Sequence, residues 1–238
     1  MDEWKLEPAR DLGLPLRQRL RSLDRESGLI ESALHIAWWT GIACYLKLFH
    51  RLEVAGRDHL PSRPPFVVIS NHSSHLDALV LGAMLDWRSR DRVYPLAAGD
   101  TFFESLPASA FAALTLNALP IWRKGFDPRD ILALRRRLLD GPCAYILFPE
   151  GTRSRDGRMS RFRRGIGMLV AETPVPVVPC HLEGAFQAWP ARRALPAFGK
   201  LRLTIGRPLD FSGVKNDAAG WTQVAAESES AVVRLKRS

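Results

Sequence analysis

The pattern of apolar and polar positions divides the chain near residue 51. Before this point the pattern is helical: residues 16–23 carry leucines at helical spacing among arginines, and residues 29–49 form a long apolar stretch. After it, short apolar runs are separated by Gly and Pro. We therefore predict N-terminal helices at 1–50 and a folded domain at 51–238.

The second part has the pattern of an α/β domain. Apolar runs bounded by turn residues predict strands, and stretches with helical periodicity predict helices. The predicted strands are 65–70, 93–97, 144–148, 175–179 and 201–205, and the predicted helices are 77–86, 130–139, 165–172 and 217–236. Because strands alternate with helices, we expect a largely parallel or mixed sheet flanked by helices. The charge-free segment 106–121 is predicted as a buried helix or the wall of an apolar cavity.

The apolar stretch 29–49 has the length that crosses a bilayer, roughly 20 residues. Its charged residues lie near its two ends, so charge alone does not prevent insertion. Adjacent Trp38 and Trp39 and the flanking arginines are typical of a membrane interface. We expect an amphipathic pair of helices that lies on or dips into one leaflet. A helix packed on the core and a true span are the alternatives.

Composition narrows the class of protein and of partner. The 238 residues are 46% hydrophobic and 25% charged, which excludes disordered, collagen-like and polytopic membrane chains. A net charge of +9 favours an anionic partner, such as nucleic acid, a lipid headgroup surface or a phosphorylated substrate. The three cysteines form no CxxC pair and no signal-peptide pattern opens the chain, so we expect a reducing, cytosolic environment.

Two polar motifs directly follow predicted strands, where parallel sheets bind ligands. The first is NHSSHLD at 71–77, with His72 and Asp77 five residues apart. On one helix these side chains would lie about 140° apart. With His72 in a loop and Asp77 in the first helical turn, the carboxylate holds the Nδ1 proton and leaves Nε2 as a general base. The spacing alone also fits a helix-capping loop with an incidental histidine.

The second motif, PEGTRS at 149–154, follows the strand 144–148. Gly151 lets the backbone approach a ligand, Thr152 offers a hydroxyl, and Arg153 offers a guanidinium fork that suits phosphate. Glu150 is placed to position Arg153 or a substrate hydroxyl. Residues 153–164 carry six arginines against one aspartate, a composition that also fits a solvated surface.

Other chemistries fit these motifs less well. His72, His75 and Asp77 are metal-ligand types, but no HExxH pattern is present, and we predict no metal site. The G-x-S-x-G motif of a nucleophilic serine does not occur in the sequence. A histidine base without a protein nucleophile indicates that the substrate supplies the attacking hydroxyl. Nucleic acid is not an expected partner, because the arginines follow strands and do not interleave with stacking aromatics.

The two motifs, NHSSHLD and FPEGTRS, resemble those of the phospholipid and glycerol acyltransferase family. FRRG at 162–165 is similar to the family's Phe-Lys-x-Gly segment, and VPVVPC at 175–180 is similar to its last block. The resemblance covers roughly 66–208. Arg123 matches the arginine of the family's second motif, although the aspartate that precedes it there is absent here.

The resemblance implies acyl transfer from acyl-CoA or acyl-acyl carrier protein to the free hydroxyl of 1-acylglycerol-3-phosphate, which forms phosphatidate. His72 is then the base and Asp77 orients it. Arg153 and Arg123 hold the acceptor phosphate in a pocket shaped by residues 150–152. No metal or redox cofactor is implied.

The implied setting is the cytoplasmic face of the inner membrane, with the enzyme attached peripherally or monotopically through anionic lipids. A different lyso-acceptor, such as a lyso-ornithine lipid or another lysophospholipid, is an alternative within the same class. A basic membrane-binding module without catalysis is the alternative from a different class.

Overall fold

The chain is described here by a computed structural model that covers residues 11, 13–25, 28–85, 90–122 and 128–236. The strands are β1 (Glu53–Ala55), β2 (Phe66–Ser70), β3 (Val93–Ala98), β4 (Leu119–Ile121), β5 (Ala144–Leu147), β6 (Val177–Glu183) and β7 (Arg202–Ile205). The helices are α1 (Leu16–Arg21), α2 (Leu29–His50), α3 (Leu76–Ala83), α4 (Gly99–Phe102), α5 (Leu106–Leu114), α6 (Pro128–Asp140), α7 (Gly165–Val170), α8 (Ala185–Ala188) and α9 (Ala218–Arg234).

The strands form one seven-stranded mixed sheet in the order β1-β7-β6-β2-β5-β3-β4. Among the strands of the described residues, β6 and β7 pair antiparallel and the other neighbours pair parallel, which confirms the predicted α/β class. β2 and β5 are parallel neighbours, with Phe66 opposite Ala144. Their carboxyl ends lie side by side, so the loops that follow them meet at one edge of the sheet.

Helices cover both faces of this sheet, and the central strand β2 is therefore buried along its whole length. Val67 and Ile69 face a core with α6, α7 and α9, whereas Phe66 and Val68 face a core with α2 and α3. This period of two places alternate side chains in opposite cores. It explains why β2 appears in the sequence as a continuous apolar run.

Helix α2 packs against the core along one narrow stripe, formed by His35, Trp39, Leu46 and His50. Leu46 is fully buried, and the Trp39 ring lies over Gly82 of α3, where a Cβ atom would come within 2.2 Å of the ring. Within the described ranges, no helix combines the length and the apolar content that a membrane span needs.

Two predicted elements differ from the structure. The segment 106–121 contains a helix, α5, and a short strand, β4, in place of one buried helix. α5 ends at Leu114. In the turn that follows, Asn117 has a left-handed φ of 54°, and its side-chain amide donates to the Val93 carbonyl. The strand predicted at 175–179 begins later and extends through Glu183, because it pairs with β7 as well as β2.

Candidate active site

The His72 and Asp77 side chains meet as their spacing predicts. His72 lies in the loop after β2, and Asp77 lies in the first turn of α3. The His72 Nδ1 atom is 2.8 Å from the Asp77 Oδ2 atom. Asp77 is fully buried, whereas 21% of the His72 side chain is exposed. A buried acceptor therefore holds the inner side of an imidazole that substrate can reach.

The surroundings of this pair determine which ring nitrogen carries the proton. Asp77 Oδ2 also accepts hydrogen bonds from the backbone N–H groups of Ser73 (2.6 Å) and Ser74 (2.8 Å). Because a carboxylate oxygen only accepts hydrogen bonds, its contact with His72 selects the tautomer that carries the proton on Nδ1 and leaves Nε2 available as a base. The Phe148 ring stacks on the imidazole at a centroid distance of 4.0 Å and fixes its plane.

Asn71, which precedes the histidine, ties the loop to the neighbouring strand. Its Nδ2 donates to the Leu182 carbonyl at 3.0 Å, and its Oδ1 accepts the Leu182 N–H at 2.8 Å. The side-chain amide thus pairs with β6 as a backbone peptide would, beyond the point where the β2 ladder ends. This contact holds the backbone from which His72 projects.

Glu150, which the family resemblance places in the wall of the phosphate pocket, directs its carboxylate at backbone N–H groups of two other segments. Its Oε1 accepts the N–H of His72 at 2.6 Å, its Oε2 accepts the N–H of Ser160 at 2.7 Å, and only 2% of the residue is exposed. Burial raises the pKa of the Glu150 carboxyl, while these two hydrogen bonds act in the opposite direction. Glu150 therefore joins three loop segments beneath the site.

Gly151 and Thr152 follow at the surface of the same loop. Gly151 has a φ of +74°, and a Cβ atom there would lie 2.8 Å from Nε of Arg163, which donates to the Glu150 carbonyl. A side chain at this position would displace that arginine. Thr152 is exposed, in a position open to a ligand.

Arg153 contacts His75, a pairing that sequence reasoning missed. Its Nη1 lies 2.6 Å and 2.9 Å from the two ring nitrogens of His75. Burial lowers the pKa of His75, and the Arg153 guanidinium lowers it further. The next residue, Ser154, donates its N–H to the His72 carbonyl at 2.8 Å. The loop that carries Arg153 is therefore attached to the loop that carries His72.

The remaining basic residues named from the sequence are Arg123 and the arginines of 155–164. Arg123 lies outside the described residues. In the arginine-rich segment, Arg155, Arg158 and Arg161 are exposed. The backbone of this segment is held by Glu229 of α9, whose Oε2 accepts the Phe162 N–H at 2.8 Å.

Sequence reasoning also missed Phe148, which stacks on His72. Its signal was present, because Phe148 is the last apolar residue of the run that leads into PEGTRS. His75 was considered only as a metal ligand. The structure gives the two histidines separate partners, Asp77 for His72 and Arg153 for His75.

A comparison with protein families matches residues 51–183, a range that includes both loops, to the family described as Acyltransferase. A chloroplast 1-acyl-sn-glycerol-3-phosphate acyltransferase of Brassica napus is 31% identical over 179 residues, which are 72% of this chain and 48% of that protein. The human 1-acyl-sn-glycerol-3-phosphate acyltransferase alpha is 28% identical over 186 residues, or 77% of this chain and 61% of that protein.

Among solved structures, the 1-acyl-sn-glycerophosphate acyltransferase of Thermotoga maritima superimposes with a TM-score of 0.62 at 25% identity. The superposition covers 84% of this chain and 81% of that one. By contrast, this chain spans about half the length of the plant chloroplast relatives that it matches.

Proposed function

The chain belongs to the acyltransferase family, and from that premise we propose that it acylates the free hydroxyl of 1-acylglycerol-3-phosphate to form phosphatidate. Acyl-CoA or acyl-acyl carrier protein supplies the acyl group as a thioester. The observation that carries the proposal is the joining of two loops, one with the His72–Asp77 pair and one with Arg153. The residues proposed as base and as phosphate-binding cation, His72 and Arg153, lie in loops at the same edge of the sheet.

The first step is general-base attack. Nε2 of His72 takes the proton from the acceptor hydroxyl as the hydroxyl oxygen bonds to the thioester carbonyl carbon. The carbonyl π electrons move onto the carbonyl oxygen, which gives a tetrahedral oxyanion intermediate. Asp77 stabilises the imidazolium that forms, through the 2.8 Å contact with Nδ1. General-base catalysis of this kind contributes about 10²–10⁴-fold in rate.

The second step releases the thiol. The tetrahedral intermediate collapses, its carbon–sulfur bond breaks, and the leaving sulfur takes the proton from Nε2 of His72. The products are the ester and a free thiol, and His72 returns to its starting state. Ser74 is not placed to act as a nucleophile, since its hydroxyl donates to the Trp189 carbonyl at 2.7 Å and the residue is buried.

Arg153 binds the acceptor phosphate in this proposal. A charge-assisted hydrogen bond contributes about 1.5–3 kcal/mol, so we expect Arg153→Ala to raise the acceptor KM about 10–100-fold. Arg153→Lys keeps the charge but loses the fork, and should recover part of the loss. Steady-state kinetics with each substrate varied in turn measure the effect. A rise in the KM of the acyl donor alone would show that Arg153 binds the donor and not the acceptor phosphate.

The acceptor itself is tested directly with purified protein, a panel of lysolipids and both kinds of thioester donor. Products are identified by mass spectrometry. We expect phosphatidate to form fastest, without added metal or redox cofactor. Faster acylation of a lyso-ornithine lipid or of another lysophospholipid would move the proposal to that acceptor. Vesicle binding without any thioester cleavage would favour the non-catalytic module.

We further propose that the protein acts on the cytoplasmic face of the inner membrane, attached through α2. The outward face of α2, opposite its buried stripe, carries Ile30, Leu34 and Leu48, and Ile30 and Leu48 are 79% and 73% exposed. A surface helix in a soluble protein presents polar residues there. The positive net charge adds attraction to anionic lipids.

Substitution of this face tests the attachment better than deletion of 1–49, which would also remove Trp39 and Leu46 from the core. We expect Ile30→Ser with Leu48→Ser to lower binding to vesicles of phosphatidylcholine and phosphatidylglycerol at least 10-fold, because two large apolar side chains lose their burial. Flotation measures the binding. Equal flotation of variant and wild type would move the attachment away from α2.

A further inference from the structure

A second group of exposed apolar side chains lies outside the N-terminal helices. It belongs to residues 190–200, which connect α8 to β7 and which we call the 190–200 loop. Leu195 and Phe198 in this loop are 75% and 80% exposed. Single exposed apolar residues are common, but two such large side chains in one short loop indicate an interaction surface.

The 190–200 loop is continuous with the proposed membrane face of α2. The Phe198 ring stacks on the Phe49 ring with centroids 5.4 Å apart and planes 15° apart. His50 adds two contacts, since its Nδ1 lies 3.2 Å from the Gly199 carbonyl oxygen and its own carbonyl accepts the Leu201 N–H at 3.0 Å. The end of α2 and the loop thus form one apolar surface.

Internal hydrogen bonds hold the loop in this exposed conformation. The Ala197 N–H donates to the Ala188 carbonyl at 2.8 Å, and the Arg193 N–H donates to the Pro190 carbonyl at 3.0 Å. Trp189 Nε1 donates to the Arg193 carbonyl at 3.0 Å. The apolar side chains are therefore presented by an ordered loop.

The N-terminal end of the 190–200 loop, next to Trp189, lies at the candidate active site. The Trp189 carbonyl accepts hydrogen bonds from the Ser74 hydroxyl at 2.7 Å and from the His75 N–H at 3.2 Å. His75 in turn contacts Arg153. One end of the loop is thus fixed beside the guanidinium proposed to bind phosphate, while its middle presents apolar side chains to the exterior.

We propose that the 190–200 loop inserts Leu195 and Phe198 into the same leaflet as α2, and so holds the acceptor site against the bilayer. A lipid surface is favoured over a protein partner because the same loop carries two exposed arginines, Arg192 and Arg193, which complement anionic headgroups. The proposal rests on the proposed function in one respect, that the acceptor is drawn from the membrane.

The test compares Leu195→Ser/Phe198→Ser with a matched control. The control is Leu132→Ser/Leu139→Ser on α6, where both leucines are 46% exposed on the opposite side of the sheet from α2. With vesicles of phosphatidylcholine and phosphatidylglycerol, we expect the loop variant to bind about 10-fold or more weakly and the control to bind like wild type. Arg192→Gln should lose about fivefold only when phosphatidylglycerol is present.

A second measurement separates this proposal from the proposed function. Turnover of a short-chain, water-soluble acceptor without vesicles should be unchanged in the loop variant, which also shows that it is folded. Absence of turnover in the wild type both with this acceptor and with lysophosphatidate in vesicles would refute the proposed function, yet vesicle binding would still test the loop. Unchanged vesicle binding by the loop variant refutes the loop proposal. If sedimentation then showed a lost dimer, the surface would be a contact between copies.

Discussion

His72→Ala is expected to lower kcat for the proposed formation of phosphatidate by about 10³-fold or more while leaving the fold intact. The imidazole carries both proton transfers of the proposed mechanism, and its Nδ1 lies 2.8 Å from the Asp77 carboxylate. The partly exposed ring stacks on Phe148 and is not part of a core cluster. Its removal should therefore cost much more activity than stability.

The measurement is single-turnover product formation, with thermal unfolding and circular dichroism to confirm the fold. His72→Gln is a useful companion, because its amide can still donate to the buried Asp77 carboxylate without acting as a base. Both variants should be equally inactive. Near-normal kcat in a folded His72→Ala enzyme would show that another group activates the hydroxyl.

Asp77→Asn is expected to lower kcat about 10²–10⁴-fold with little change in the acceptor KM. If the amide oxygen takes the position of Oδ2, it keeps the contacts to Ser73, Ser74 and His72 but loses the charge that stabilises the imidazolium. If the amide is reversed, its NH₂ group faces Nδ1 and favours the wrong tautomer. Either orientation impairs the base.

Ser73→Ala provides the matched control for Asp77→Asn. It retains the backbone N–H that donates to Asp77 Oδ2 at 2.6 Å, and it changes only a hydroxyl that the mechanism does not use. We expect activity close to wild type. Comparable losses in Ser73→Ala and Asp77→Asn would indicate a disturbed loop, and loss in Ser73→Ala alone would require a covalent step at that serine.

The pairing of His72 with Asp77 was predictable because it is local. Both residues belong to one loop and one helical turn, so five residues of spacing and the chemistry of the two side chains define the contact. The buried strands were predictable for a similar reason, since each central strand is a short run of apolar residues between turns. The family resemblance of the two loops, confirmed by the match over 51–183, also depends on contiguous residues.

The elements that differed depend on partners far along the chain. β6 continues through Cys180–Glu183, where Asn71 binds Leu182 and β7 supplies the antiparallel neighbour. β1 was not predicted, because three residues carry no periodic signal and its partner β7 lies at the other end of the domain. Apolar content alone did not separate α5 from β4.

By itself, the sequence determined the fold class, the two loops and the residue types available for chemistry. Only the tertiary structure decided where those side chains point. Glu150 turns inward because the N–H groups that satisfy its carboxylate come from His72, 78 residues away, and from Ser160. Phe198 lies against Phe49 because β1 and β7 are neighbours in the sheet. The first contact forms because buried polar groups must find hydrogen-bond partners, and the second forms because the sheet brings distant segments together. Local sequence patterns specify neither.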